Sequence, residues 1–179
     1  MLSWLKAGAR TKGPPSAPAE QPTFQEDSFS ALTDGARYAA LGRNRRVMVV
    51  DDDEVVLKAF ELKLQASGFT VFTVRDAATV TGAAQKLKPE LILLDINFPA
   101  TDTAMEWSGL TAIQWLRRFP ELATIPVIII SGTDGAAWKE KALAVGAKAF
   151  FHKPVVFKEL LDTMLESLST PRSKRPQTP

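Results

Sequence analysis

Residues 91–99 read LILLDINFP, with four consecutive apolar residues running straight into Asp95. An apolar run of that length with no polar interruption predicts a strand buried on both faces. The same texture recurs on either side of it, in VMVV (47–50), FTVFTV (69–74), IPVIIIS (125–131) and AKAFF (147–151). These runs are mostly β-branched, leucine-rich or aromatic, as residues on a pleated, buried surface tend to be. Amphipathic stretches lie between and after them, predicting helices over 54–67, 77–88, 110–118, 135–145 and 155–168. Five strands alternating with five helices imply βαβ units, and hence an α/β domain with a parallel sheet covered on both faces. Gly68 and Gly146 stand where a helix gives way to a strand, a usual stop signal.

The rest of the chain bounds what this domain does. At 179 residues it holds one well-cored domain with flanking segments. There is no Cys, which excludes disulfides, thiolate metal sites and a Cys nucleophile together. The single His, His152, excludes a multi-histidine centre and reads as a strand residue rather than a ligand. No apolar run approaches the ~20 residues of a membrane helix. Met1–Ala9 lacks the long apolar core of a signal peptide. A cytoplasmic protein with no transmembrane segment is expected. Charge is unevenly spread: residues 1–46 carry seven Lys/Arg against four Asp/Glu, residues 47–168 twelve against sixteen, and residues 169–179 three against none. The alkaline balance belongs to the flanks and the body is acidic, which speaks against a dedicated nucleic-acid-binding domain.

The flanks divide the chain into an N-terminal extension and flexible linker (1–45), the α/β domain (46–168) and a disordered basic tail (169–179). Pro and small polar residues over 11–28 predict the linker. Before it, Leu2, Trp4 and Leu5 suit a short amphipathic helix, and Trp4 is the kind of tethered apolar residue that docks on this domain or on a partner. Residues 29–41 suit a helix that Gly35 weakens.

In an open parallel sheet, ligands gather beyond the carboxyl ends of the strands. The first strand ends in Asp51-Asp52-Asp53, the third in Asp95, the fourth in Ser131, and the fifth runs into Lys153-Pro154. Acids collected at one edge repel each other unless a cation or the lysine offsets them. An all-oxygen ligand set with room for water suits Mg²⁺ better than a transition metal. The same parts suit phosphoryl transfer, which is mostly positioning and charge compensation. A carboxylate serves as acceptor, forming an acyl phosphate. The metal, the Ser131 hydroxyl and the Lys153 ammonium would each hold one phosphoryl oxygen, and Asp51 and Asp52 would hold the metal.

In their order and rough spacing, VMVVDDDE, LILLDINFP, VIIISGTD and GAKAFFHKP resemble the receiver domain of bacterial two-component response regulators, over about residues 46–168. The resemblance implies a flavodoxin-like, doubly wound (βα)5 fold with strand order 2-1-3-4-5. It makes Asp95 the phosphoacceptor, Asp52 a direct metal ligand, Asp51 an outer or water-mediated one, and the backbone carbonyl of Asn97 a further ligand. Ser131 takes the place of the switch hydroxyl, Lys153 that of the family's lysine, and Phe150 that of the switching aromatic. The peptide bond before Pro154 matches one that is commonly cis in the family. The implied partners are a histidine kinase or histidine phosphotransfer protein and an unknown downstream protein. Dimerisation on the face of the fourth helix, fifth strand and fifth helix, about residues 134–168, is also implied. Such a domain is a switch rather than an enzyme, with only slow autodephosphorylation.

Two departures stand out. ATDTAMEWS (100–108) is inserted before Gly109, where the family reaches a Gly sooner. That places Asp102, Met105, Glu106 and Trp107 beside the acceptor, where they could tune access, dephosphorylation or partner choice. Gly132 follows Ser131 where a small residue, often Ala, is usual, which keeps the way open to a phosphoryl donor. Two other readings compete. Asp51-Asp52-Asp53-Glu54-Val55 fits the opening motif of haloacid-dehalogenase-like phosphatases, with Asp51 as nucleophile and Asp53 as acid/base, but the required downstream acidic pair is missing and Asp95 is left idle. Asp53 is otherwise expected to cap the first helix. The third reading is a receiver-like scaffold that binds partners without phosphorylation.

Overall fold

The computed structural model describes residues 24–25, 31–98, 109–132 and 136–169. The segments 1–23, 99–108 and 170–179 lie outside them, and with them the expected Trp4 helix, most of the linker, the inserted loop and the tail. In chain order the elements are β1 (Phe24–Gln25), α1 (Ala31–Gly42), β2 (Arg46–Val50), α2 (Glu54–Ala66), β3 (Thr70–Val74), a 3-10 turn (Ala77–Thr79), α3 (Val80–Leu87), β4 (Leu91–Leu94), α4 (Gly109–Arg118), β5 (Val127–Ser131), α5 (Ala136–Ala144), β6 (Ala149–His152), β7 (Val155–Val156) and α6 (Phe157–Ser169).

Strands β2 to β6 form one parallel sheet in the order β3-β2-β4-β5-β6, which is 2-1-3-4-5 counting only its own strands. This is the flavodoxin-like order that the sequence implied. The sheet divides the core in two. Met48, Val50, Ile92, Leu94, Val127 and Ile129 point to one side, against α3, α4 and α5. Val47, Val49, Leu91, Leu93, Ile128 and Ile130 point to the other, against α2 and α6. The period of two along each strand produces this split, and burial on both faces explains why these strands are apolar throughout. Helix α2 shows how the layers attach. Asp53 caps it, its Oδ1 accepting the Val55 and Val56 amides at 2.7 and 3.3 Å. Leu57, Phe60 and Leu64 form its buried stripe, each stabilising by about 1.5–3 kcal/mol on burial. Gly68 and Gly146 both take positive φ, 86° and 98°, closing α2 and α5 as expected.

Some boundaries depart from the pattern. The helix expected over 77–88 opens as a 3-10 turn, because Asp76 Oδ1 accepts the Ala78 amide at 2.8 Å and Asp76 O takes the Thr79 amide. The helix expected from 155 starts only at Phe157. Val155 and Val156 are instead extended and pair in parallel with Phe24 and Gln25. That ladder also gives two residues of the proline-rich stretch an ordered place, which its composition did not indicate. Helix α1 packs against α6: Tyr38, 5% exposed, donates its hydroxyl to Asp162 Oδ1 at 2.8 Å and accepts from Lys158 Nζ at 3.3 Å. At the edge where the strands begin, Arg117 ties the α4–β5 and α5–β6 connections together. Its guanidinium donates to the carbonyls of Ala123, Ile125 and Gly146 at 2.9, 3.0 and 2.8 Å.

Candidate functional site

Every sheet strand points its carboxyl end to the same edge, and the chemistry collects there. Asp51 follows β2, its amide donating to Val74 O at 3.1 Å; Asp95 follows β4, its amide donating to Val50 O at 2.9 Å. Both are buried, at 4% and 6% exposure, because the neighbouring strand ends wall them in. Asp52 is half-buried beside them. Each turn uses its own carboxylate to close itself: Asp51 Oδ1 accepts the Asp53 amide at 3.0 Å, and Asp95 Oδ1 accepts the Asn97 amide at 2.9 Å. The remaining oxygens turn to one cation. Lys153 Nζ donates to Asp51 Oδ2 at 2.8 Å and to Asp95 Oδ2 at 2.7 Å, across 102 and 58 residues of chain.

The electrostatics follow from burial. Burial pushes the Asp51 carboxyl above the usual carboxylate range, against the pull of the Lys153 ammonium. For Lys153, burial alone would lower the ammonium, but the charges of Asp95 and Asp51 and their hydrogen bonds outweigh it and hold the group above its ordinary value. One ammonium thus bridges two carboxylates, and Asp52 adds a third beside them. Asp51, Asp52 and Asp95 each offer an oxygen within 4.8 Å of the others, close enough to share one ion. The set is oxygen only and carries excess negative charge, which fits a hard cation. These three residues form a candidate metal centre.

Ser131 is fully buried at the end of β5, beside β6, and its carbonyl accepts the Lys153 amide at 2.8 Å. Phe150 lies in β6 in register with Ile129, half-buried against the core on the α4–α5 side. The Asn97 peptide sits over Asp95 through the hydrogen bond already given. The Lys153-Pro154 bond is cis. His152 is an exposed β6 residue opposite Ser131, outside the acidic group. Asp53 serves α2 as its cap, as the sequence led one to expect.

Gly109 belongs to this site in a way that residue types alone did not signal. A Cβ on it would lie 2.3 Å from the Asp95 carbonyl oxygen and 2.7 Å from Ile96 Cα, both backbone. The start of α4 therefore rests directly on the turn that carries Asp95, and only glycine permits the contact. Its one cue was a glycine at a helix start after a long insertion. Gly109→Ala is expected to cost about 1–3 kcal/mol, the usual range for an overpacked contact. Thermal unfolding checks it; an unchanged midpoint would mean that α4 does not bear on Asp95.

The family model for the response regulator receiver domain matches residues 47–165. The polar-differentiation response regulator DivK of Brucella anthropi is 31% identical over 120 residues, covering 67% of this chain and 93% of that protein. The response regulator from Desulfuromonas acetoxidans superposes with a TM-score of 0.60 at 29% identity, over 69% of this chain and 96% of the other. Chemotaxis protein CheY4 of Vibrio cholerae has the same fold, with a TM-score of 0.62 at 24% identity over 69% of this chain and 98% of the other.

Proposed function

This chain belongs to the response regulator receiver domain family, and we propose that it works as a phosphorylation-dependent switch in which Asp95 accepts a phosphoryl group from a phosphohistidine. The observation that carries the proposal is the Lys153 ammonium held between Asp51 and the buried Asp95. A lysine placed there sits where negative charge develops when an acyl phosphate forms. Asp95 Oδ2 attacks phosphorus, the P–N bond of the donor breaks as the P–O bond forms, and the imidazole leaves with a proton. Lys153 holds one phosphoryl oxygen and the Ser131 hydroxyl another. Asp51, Asp52, Asp95 and the Asn97 carbonyl would hold Mg²⁺, which supplies charge neutralisation at the equatorial oxygens.

The response is a change of surface. Ser131 moves toward the phosphoryl group, and Phe150 turns into the space it leaves. That biases α5, β6 and α6 toward a second arrangement that a downstream protein or a second copy recognises. The donor is a histidine kinase or histidine phosphotransfer protein, and the site of action is the cytoplasm. Among the described residues no helix is long and apolar enough to cross a membrane. The domain spans 46–168, between an N-terminal extension and a basic tail.

Incubation with acetyl phosphate and Mg²⁺, followed by intact-mass analysis, tests the proposal. One phosphoryl adduct is expected, and it should disappear when EDTA replaces the metal. An adduct that forms equally well in EDTA would overturn the metal assignment. The scaffold reading requires no adduct from either acetyl phosphate or a phosphohistidine donor.

A further inference from the structure

The receiver match starts at residue 47, yet two elements before it are built onto the domain. Strand β1 pairs with β7, Phe24 opposite Val155 and Gln25 opposite Val156, only two residues beyond Lys153. Helix α1 is anchored through Tyr38, whose ring is buried and whose hydroxyl joins Asp162 and Lys158 of α6. The end of α1 meets the end of α2 backbone to backbone: a Cβ on Gly42 would lie 2.3 Å from Ser67 O, and one on Gly68 would lie 2.4 Å from Ala39 O. Extension and domain thus meet at three separate places, one of them next to the lysine of the site.

We propose that strand β1 and helix α1 form a clasp that holds β7 and α6 in the arrangement where Lys153 bridges Asp51 and Asp95, and that loading Asp95 with a phosphoryl group loosens it. The inference rests on Asp95 being the phosphoacceptor. A phosphoryl group on Asp95 takes up Oδ2, the oxygen that Lys153 now holds, and presents new anionic oxygens further out. The ammonium follows them and leaves its seat between the two carboxylates. Whatever part of that movement reaches the Lys153 backbone passes through Pro154, whose ring fixes its φ, straight to Val155 and β7. A two-residue ladder has few hydrogen bonds with which to resist. Helix α6 begins at Phe157, directly after β7, and carries both partners of Tyr38, Lys158 and Asp162. A shift that enters at β7 therefore reaches the α1 anchor. Coupling of this kind is reciprocal: if loading weakens the clasp, weakening the clasp favours loading by the same factor.

The test uses the full-length chain with Mg²⁺ and beryllofluoride as a phosphoryl mimic. Fluorine NMR reports bound beryllofluoride, and hydrogen exchange read by mass spectrometry reports the clasp. Exchange over residues 31–42 should accelerate by about fivefold or more on loading, the lower end of ordinary coupling factors. Beryllofluoride should bind tighter to Tyr38→Ala than to wild type, again by about fivefold. Tyr38→Phe, which keeps the ring and loses only the hydroxyl, should fall between them and serves if the alanine variant does not fold. Bound beryllofluoride with unchanged or slower exchange over 31–42 would overturn the clasp alone, as would equal affinity in wild type and Tyr38→Phe. No bound beryllofluoride would overturn the phosphoacceptor reading, and the clasp with it.

Discussion

Asp95→Asn should abolish the phosphoryl adduct while leaving the domain folded. Asparagine matches aspartate in shape, and its side-chain oxygen can still accept the Asn97 amide that now goes to Asp95 Oδ1. Its amide nitrogen then faces the Lys153 ammonium in place of Oδ2, donor against donor, so one of the two bridging bonds is lost. Losing a hydrogen bond to a charged group costs about 1.5–3 kcal/mol. Removing one buried carboxylate from a group with excess negative charge offsets part of that cost. The net change in stability is therefore small beside the change in chemistry, since an amide has no anionic oxygen with which to attack phosphorus. Intact mass after acetyl phosphate treatment gives the answer, with circular dichroism as the control for folding. An adduct retained at wild-type level would mean that another residue is the acceptor.

Lys153→Ala should bring the largest loss of stability, with a distinct pH signature. The ammonium is the cation that the structure sets against Asp51 and Asp95, and taking one partner from a buried ion pair typically costs 3–5 kcal/mol. The Lys153 side chain keeps 27% exposure, so the lower end, about 3 kcal/mol, is expected, a fall in midpoint of roughly 10 °C. The sign with pH follows from Asp51. Its folded pKa lies above the unfolded one, so its contribution is fully present below the ordinary carboxylate range and is lost as pH rises through the folded value. Without Lys153 to pull it down, that folded pKa rises further, and the loss is larger and reaches higher pH. Lys153, itself raised, would have kept its own contribution until pH climbed past the ordinary lysine range. The variant's deficit should therefore be greatest near neutrality and shrink toward about pH 3, as the Asp51 carboxyl takes up its proton. Denaturant unfolding at the two pH values decides; an equal deficit at both would mean that Lys153 acts through packing and not through charge.

How much of this was legible in the sequence differs by residue. Leu91–Leu94 announced a doubly buried strand because both its faces are covered, so no polar residue interrupts it. Asp51, Asp95 and Lys153 were legible because parallel strands must all end at one edge, and the residue following each apolar run therefore marks that edge. That the lysine could offset the acids was legible; that its one ammonium bridges Asp51 and Asp95 was not, since it depends on distances that spacing along the chain does not carry. Val155 and Val156 followed a proline and preceded an amphipathic stretch, so local pattern assigned them to the helix; their partners, Phe24 and Gln25, lie some 130 residues away. Tyr38 gave no more warning, an aromatic in an Ala-rich segment whose two polar partners come from α6. In each case the missing information was a contact between distant parts of the chain.

The crowding of carboxylates at one rim of the sheet also bears on arrival. A phosphoryl donor carries negative charge, and for a receiver working as proposed it must cross the field of Asp51, Asp52 and Asp95 before it reaches the ammonium beyond them. Long-range repulsion of that kind lowers encounter rates and is damped by salt. A divalent ion seated among the three acids would, together with the Lys153 ammonium, balance their negative charge and remove that repulsion, so metal occupancy would govern how often a donor arrives as well as what happens once it has.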